Sequence, residues 1–307
     1  MKLRITTGLV VLCTVIFILA DHRKNDKPDN LSTSIVTVDG TISPVSAFPR
    51  VFKESLQTIK TNDRYDNFIL FIHGRGKHPE KALNKKLIAN LESDYSAKVI
   101  MFHWPSWQGT LAFPEDQARA SADDFIRILR DIERVKKKHG DLTLSIRFAL
   151  LTHSMGSLVL EQSVLNMGPQ SPQGIFDTLL ISASASSSQD HANWVNQLKL
   201  SRNLYITVNR YDPMLGPASI KELGRRLGMG LTNQLRDVEL AAQAHYIDVS
   251  ATGPLHHYFL HHSLSRAPVT RQIMDQILNG LPATLVSNEH INEISRKQVY
   301  VIREIAN

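Results

Sequence analysis

Long runs of apolar residues, each closing on a small or polar residue and separated by stretches of helical period, constrain this chain more than any other feature. "NFILFIHG" (67–74), "AKVIMFHW" (97–104), "SIRFALLTH" (145–153) and "FDTLLISAS" (176–184) are apolar nearly throughout rather than at every second position. That character belongs to strands buried on both faces of a parallel sheet. "SIVTVDG" (34–40) alternates like a strand, and "NLYITVNR" (203–210) and "HYIDVSA" (245–251) complete the set, the latter as the last strand. Between them lie the predicted helices "PEKALNKKLIANL" (79–91), "SADDFIRILRDIERVKK" (121–137), "SLVLEQSVLNMG" (157–168), "HANWVNQLKL" (191–200) and "ASIKELGRRL" (218–227). A terminal helix, "VTRQIMDQILNG" (269–280), precedes a polar tail. Strands alternating with helices predict an α/β fold with a mostly parallel central sheet and helices on both faces. Ligands of such sheets bind beyond the carboxyl ends of the strands.

Composition agrees with a packed core and narrows the function classes. Of 307 residues, 42% are apolar and 21% charged, ordinary for a globular protein. The net charge of +6 is spread along the chain, and its densest knot, "RVKKKHG" (134–140), closes a predicted helix. Cations there complement the helix dipole, and no interleaved aromatics or nucleic-acid motif accompany them, so no nucleic-acid partner is expected. A single cysteine, Cys13, excludes an internal disulfide framework and a zinc-type cysteine cluster.

The first residues read differently. Lys2 and Arg4 precede an apolar run, Ile5–Ala20, which is followed by the polar "DHRKNDKPDN". This pattern predicts a signal peptide or single membrane anchor over 1–20, a linker over 21–33 and one domain over 34–307. The run is short for a span of about 30 Å of hydrocarbon. The domain is then expected outside the cytoplasm, periplasmic or tethered to the inner membrane.

The chemistry centres on "LLTHSMGSLVL" (150–160), where a strand gives way to a helix at Ser154. A strand–turn–helix context is what a nucleophile elbow requires, although Ser is also a common helix N-cap. Gly156 supplies the small residue that so sharp a turn needs, and Thr152 stands where Gly is usual. "FIHGRG" (71–76) ends an early strand in His-Gly and suits an oxyanion loop, with the backbone N–H groups of Arg75 and Met155 as donors. Asp212 follows a late strand, and His256 and His257 follow the last one. The order Ser…Asp…His is that of a serine-hydrolase triad on this architecture. Asp190, also after a strand, is a rival acid. His256, His257, His261 and His262 would form i, i+4 pairs on a helix and could hold a metal, but no second ligand set accompanies them, so neither metal nor cofactor is expected. His73, Trp104 and His153 are expected to bind substrate, and 103–117 to form a pocket wall.

With "IHGRG", "FHWPSWQG", "ARASADDFIRIL", "LTHSMGS", "NRYDPML" and "HHYF" in place, the chain resembles a bacterial branch of the α/β-hydrolases filed as being of unknown function, from about residue 66 to 262. The resemblance implies the α/β-hydrolase fold and selects His256 as the base, through the His-x-Tyr-Phe pattern. It implies a serine hydrolase that cleaves an ester or related acyl bond of a small-molecule or lipid substrate through an acyl-Ser154 intermediate. The alternatives are an acyltransferase on the same triad and a non-catalytic envelope binding module.

Overall fold

The computed structural model describes residues 32–76, 82–109, 112–215, 226–229, 238–286, 288–294 and 298–305. The predicted N-terminal segment (1–20), most of its linker and most of the predicted helix over 218–227 lie outside them. Among the described residues no helix is long and apolar enough to cross a membrane.

The continuous apolar runs form the middle of a ten-stranded sheet. Its strands are β1 (Ser34–Val36), β2 (Ile42–Pro44), β3 (Asn67–Ile72), β4 (Ala97–His103), β5 (Arg147–His153), β6 (Phe176–Ser182), β7 (Ser201–Val208), β8 (Ala244–Asp248), β9 (Ile291–Ile294) and β10 (Val299–Ile302). Their order is β2-β1-β4-β3-β5-β6-β7-β8-β10-β9. From β4 to β10 all neighbours are parallel, and β1–β2 and β9 are antiparallel additions at the two edges. Every residue of β3 is buried, as a strand covered on both faces must be.

The longer helices are α1 (Phe48–Thr61), α2 (Ala82–Tyr95), α4 (Ala122–Lys138), α6 (Gly156–Met167) and α8 (Pro268–Leu278); the short ones are α3 (Glu115–Ala120), α5 (Gly140–Thr143) and α7 (His191–Val195). In α4 the residues Phe125, Ile128, Leu129, Ile132 and Val135 are buried at helical spacing, behind an acidic first turn and ahead of a basic last turn. The groups α1–α4–α6 pack together, α8 packs on β5 and β6, and α2 on β4.

Two expectations need correction. The predicted helix over 191–200 ends at Val195, because turns then carry the chain directly into β7. The tail beyond α8 is not merely polar, and "HYIDVSA" is not the last strand. "VYVI" (299–302) lies parallel to β8 and draws β9 alongside it. Four residues of apolar run, flanked by Lys, Arg and Glu, gave too short a pattern to signal a strand.

The sheet order reverses between β3 and β5, since the chain leaves β3 towards β4 and returns on the opposite side. This switch point is where ligands of open α/β sheets bind. There α6 presses onto the end of β3: a Cβ built on Gly156 would lie 2.6 Å from His73 O and 2.7 Å from Ile72 O. Both contacts are backbone, so neither yields as a side-chain tip would. Gly156→Ala is therefore expected to lower the urea unfolding free energy by about 3 kcal/mol through overpacking. An unchanged unfolding midpoint would refute the close approach.

Candidate active site

Ser154 sits between β5 and α6 with φ of +52°, a conformation that costs a non-glycine residue about 1–3 kcal/mol. A net of hydrogen bonds holds it there. Ser154 N donates to Ser182 O at 3.0 Å, and Ser154 O accepts from Ser157 N at 3.1 Å and Ala185 N at 3.2 Å. Ser157 Oγ adds a third bond to the same carbonyl at 2.8 Å. It accepts in turn from Ser184 Oγ at 2.9 Å and Ser186 Oγ at 3.2 Å. Thr152 is accommodated in the strand, with its Oγ1 buried and without a hydrogen-bond partner among the described residues. It is a strand residue, paired with Ile72 on one side and Ile181 on the other, a setting that suits a β-branched side chain.

The His-Gly loop lies against this turn. A Cβ on Gly74 would meet Ser154 Cβ at 2.7 Å, so only glycine fits. The ring of His73 is buried, with Nδ1 2.6 Å from Gly74 O and Nε2 3.0 Å from His103 Nδ1. A carbonyl can only accept, so His73 carries its proton on Nδ1 and accepts from His103 through Nε2. In a trans peptide C=O and N–H point in opposite directions. Fixing Gly74 O towards the His73 ring therefore turns the N–H of Arg75 away from it. Trp104, expected to bind substrate, is fully buried and donates Nε1 to His73 O at 2.8 Å. It stacks on His73 and supports the loop from behind rather than lining the cavity.

Asp212 and His256 come from the ends of the adjacent strands β7 and β8. His256 Nδ1 donates to Asp212 Oδ2 at 2.7 Å, and Oδ1 is 2.9 Å away. The carboxylate is buried and its Oδ1 also accepts from Met214 N at 2.9 Å. With Nδ1 engaged, Nε2 of His256 remains for a second proton partner. His256 and Ser154 line one cavity of about 540 Å3, together with His73, Arg75, His153 and Met155. Ser154 Oγ has no hydrogen-bond partner among the described residues. The rival acid Asp190 precedes α7 with an exposed side chain and, unlike Asp212, makes no hydrogen bond or ion pair to His256.

The histidines after His256 do not form helical pairs, because 256–266 is a series of turns. His261 instead meets Asp275 through Nε2 at 2.5 Å, and its backbone N–H donates to Asp94 at 2.9 Å. The segment 103–117 does contribute to the wall, since Phe113 and Glu115 face the cavity. Arg75 donates to Gly109 O at 2.7 Å and lies over the rings of Trp107 and Phe113.

One residue escaped the sequence reading. Asn209, fully buried, donates through Nδ2 to Gly253 O at 2.8 Å and Leu255 O at 3.1 Å, while its Oδ1 accepts from Tyr211 N at 2.9 Å. It thus ties the turn carrying Asp212 to the loop carrying His256. The one available signal was a polar residue closing a strand three positions before Asp212.

The family comparison accords with this geometry. The model of a family described as "Alpha/beta hydrolase of unknown function (DUF900)" matches residues 49–276. The chain belongs to that family. No curated protein matches this α/β-hydrolase. Among solved structures it is similar to a predicted CIB-like hydrolase from Thermoplasma acidophilum, at 14% identity and a TM-score of 0.38, over 70% of this chain and 88% of that one. It is also similar to carboxyl esterase 2 from the fungus Tuber melanosporum (16% identity, TM-score 0.38, 71% and 80% covered). A third is a hyperthermophilic esterase from Pyrobaculum calidifontis (12% identity, TM-score 0.37, 70% and 75% covered).

Two outcomes follow for this α/β-hydrolase. Asn209→Ala leaves two loop carbonyls without their donor, and should cost about 1–3 kcal/mol. Faster amide exchange confined to 250–263 would locate the loss, and unaltered exchange there would refute the tie. The second concerns acid. Burial, with His256 and His257 close by, holds the pKa of His153 well below its ordinary value of 6.5. The folded state therefore keeps His153 neutral where the unfolded chain takes up a proton. Its contribution to stability is complete above about pH 6.5 and is lost as pH falls below that value. The urea midpoint should fall through this range, and His153→Asn should flatten part of the slope. An identical slope in the variant would exclude His153 as a source.

Proposed function

We propose that this α/β-hydrolase is a serine hydrolase that cleaves an ester or related acyl bond. The observation that carries the proposal is the Asp212–His256 pair, whose imidazole lines the same cavity as a serine at positive φ. Ser154 Oγ attacks the acyl carbonyl while His256 Nε2 takes its proton. Asp212 holds the imidazole in the required tautomer and stabilises the imidazolium. The N–H groups of Arg75 and Met155 stabilise the developing oxyanion, an effect worth about 3–4 kcal/mol per donor. His256 returns the proton to the departing alcohol, leaving acyl-Ser154. Water, deprotonated by His256, then attacks the acyl group and releases the acid. Lys2, Arg4 and the apolar run Ile5–Ala20 support a location outside the cytoplasm.

Labelling by a fluorophosphonate tests the nucleophile. Wild-type protein should label, and Ser154→Ala should not. On a short-chain aryl ester, Ser154→Ala should lose roughly a millionfold in kcat, and Asp212→Asn about 10,000-fold. Asp190→Asn should match wild type. Undiminished labelling of Ser154→Ala would overturn the proposal, and an inactive Asp190→Asn beside an active Asp212→Asn would displace the acid.

A further inference from the structure

The wall of the cavity is chemically uneven. In most of it the charged side chains are already bonded to protein groups. Arg226 is held by Glu115 at 2.8 Å and by Ala185 O at 2.6 Å, and Arg75 by Gly109 O and two aromatic rings. Phe113, Met214 and Leu215 supply apolar wall beside them. One corner is different. Lys86 and Asn90, one turn apart on α2, share it with His262 and Ser263 of the loop after His256. The two elements run against each other, since Asp94, one further turn along α2, accepts the backbone N–H of His261 at 2.9 Å. None of these four side chains has a hydrogen bond or ion pair among the described residues. A lysine, an amide and a hydroxyl thus converge on the cavity with their donors uncommitted.

We propose that this corner receives the alcohol half of the substrate, and that this half carries an anionic oxygen group such as a carboxylate or phosphate. Lys86 meets the charge, Asn90 and Ser263 donate hydrogen bonds to the same group, and the acyl half lies along Phe113, Met214 and Leu215. The proposal rests on Ser154 being the nucleophile, because that assignment makes the cavity an ester site. It adds the charge and orientation of the ester. Opposite charges raise encounter rates as well as affinity, and the exposed position of Lys86 makes the effect modest and sensitive to salt.

The test uses three aryl esters of one short fatty acid, with a neutral, a carboxylate-bearing and a phosphate-bearing aryl group. Each is titrated by calorimetry into Ser154→Ala protein, which binds without turnover, and each is assayed for kcat/KM with wild-type protein. The anionic esters should be preferred over the neutral one by about fivefold, the scale of one exposed ion pair. Lys86→Glu should abolish or reverse that ratio, and raising the salt should shrink it. A ratio near one in the parent, or the same ratio in Lys86→Glu, overturns the proposal. If only one anionic ester is preferred, the group is identified as that one. Failure of the nucleophile assignment appears separately, as absent fluorophosphonate labelling, while a Lys86-dependent binding preference would still be read.

Discussion

The contact between the end of β3 and the first turn of α6 governs this end of the molecule. Gly156 rests on the carbonyls of Ile72 and His73, and Gly74 rests on Ser154 Cβ. At each place a methyl group would overlap its neighbour. Because helix and strand meet so closely, the two residues between β5 and α6 must turn sharply, and Ser154 takes up the positive φ. The strain is local and its restraint is polar. Three hydrogen bonds to Ser154 O and one from its N–H fix the turn, while the hydroxyls of Ser157, Ser184 and Ser186 satisfy one another behind it. A buried cluster of this kind is stable only when each member has a partner, which makes the serine-rich stretch after β6 part of the elbow's support.

Parallel strand order then places the remaining groups. In a parallel sheet all carboxyl ends lie on one edge, so neighbours in the sheet become neighbours in the site. The adjacent strands β3 and β5 bring His-Gly to Ser154, and the adjacent strands β7 and β8 bring Asp212 to His256. Strand β6 separates the pairs, and its last residue accepts the bond from Ser154 N. Loops alone would leave the second pair loosely related. Asn209 removes that freedom by bonding to the loop after β8 from the end of β7. His261 anchors the far side of the same loop to α2 and α8 through Asp94 and Asp275.

The central fold was legible in the sequence because its signals are local. A continuous apolar run reads as a buried strand wherever it lies, and Ser154, Asp212 and His256 each follow a strand predicted from the sequence. The adjacency of Asp212 and His256 was accessible only through chain order and the His-x-Tyr-Phe resemblance. What was not legible depends on contacts distant in sequence. Trp104 looks like a pocket aromatic in "HWPSW", yet its indole N–H is taken by His73 O, 31 positions away. "VYVI" becomes a strand because β8 offers it an open edge. Asn209 has no pattern of its own, and its importance lies in two carbonyls more than forty positions further on.

The histidines around Ser154 illustrate how one residue type is put to different uses by its surroundings. His153 stands 4.5 Å, ring centre to ring centre, from His256, and the proposed reaction requires His256 to become positively charged. A second imidazolium at that distance would oppose the proton transfer, since like charges in a partly buried site repel strongly. Burial keeps His153 neutral, so Asp212 acts on a single developing charge. An apolar residue at 153 would also be neutral. It could not donate Nε2–H to His256 O, the 3.2 Å bond that fixes the backbone of the proposed base relative to the elbow. Histidine at this position thus combines a polar tether with the absence of charge, and the residue preceding the proposed nucleophile is thereby fastened to the residue that would activate it.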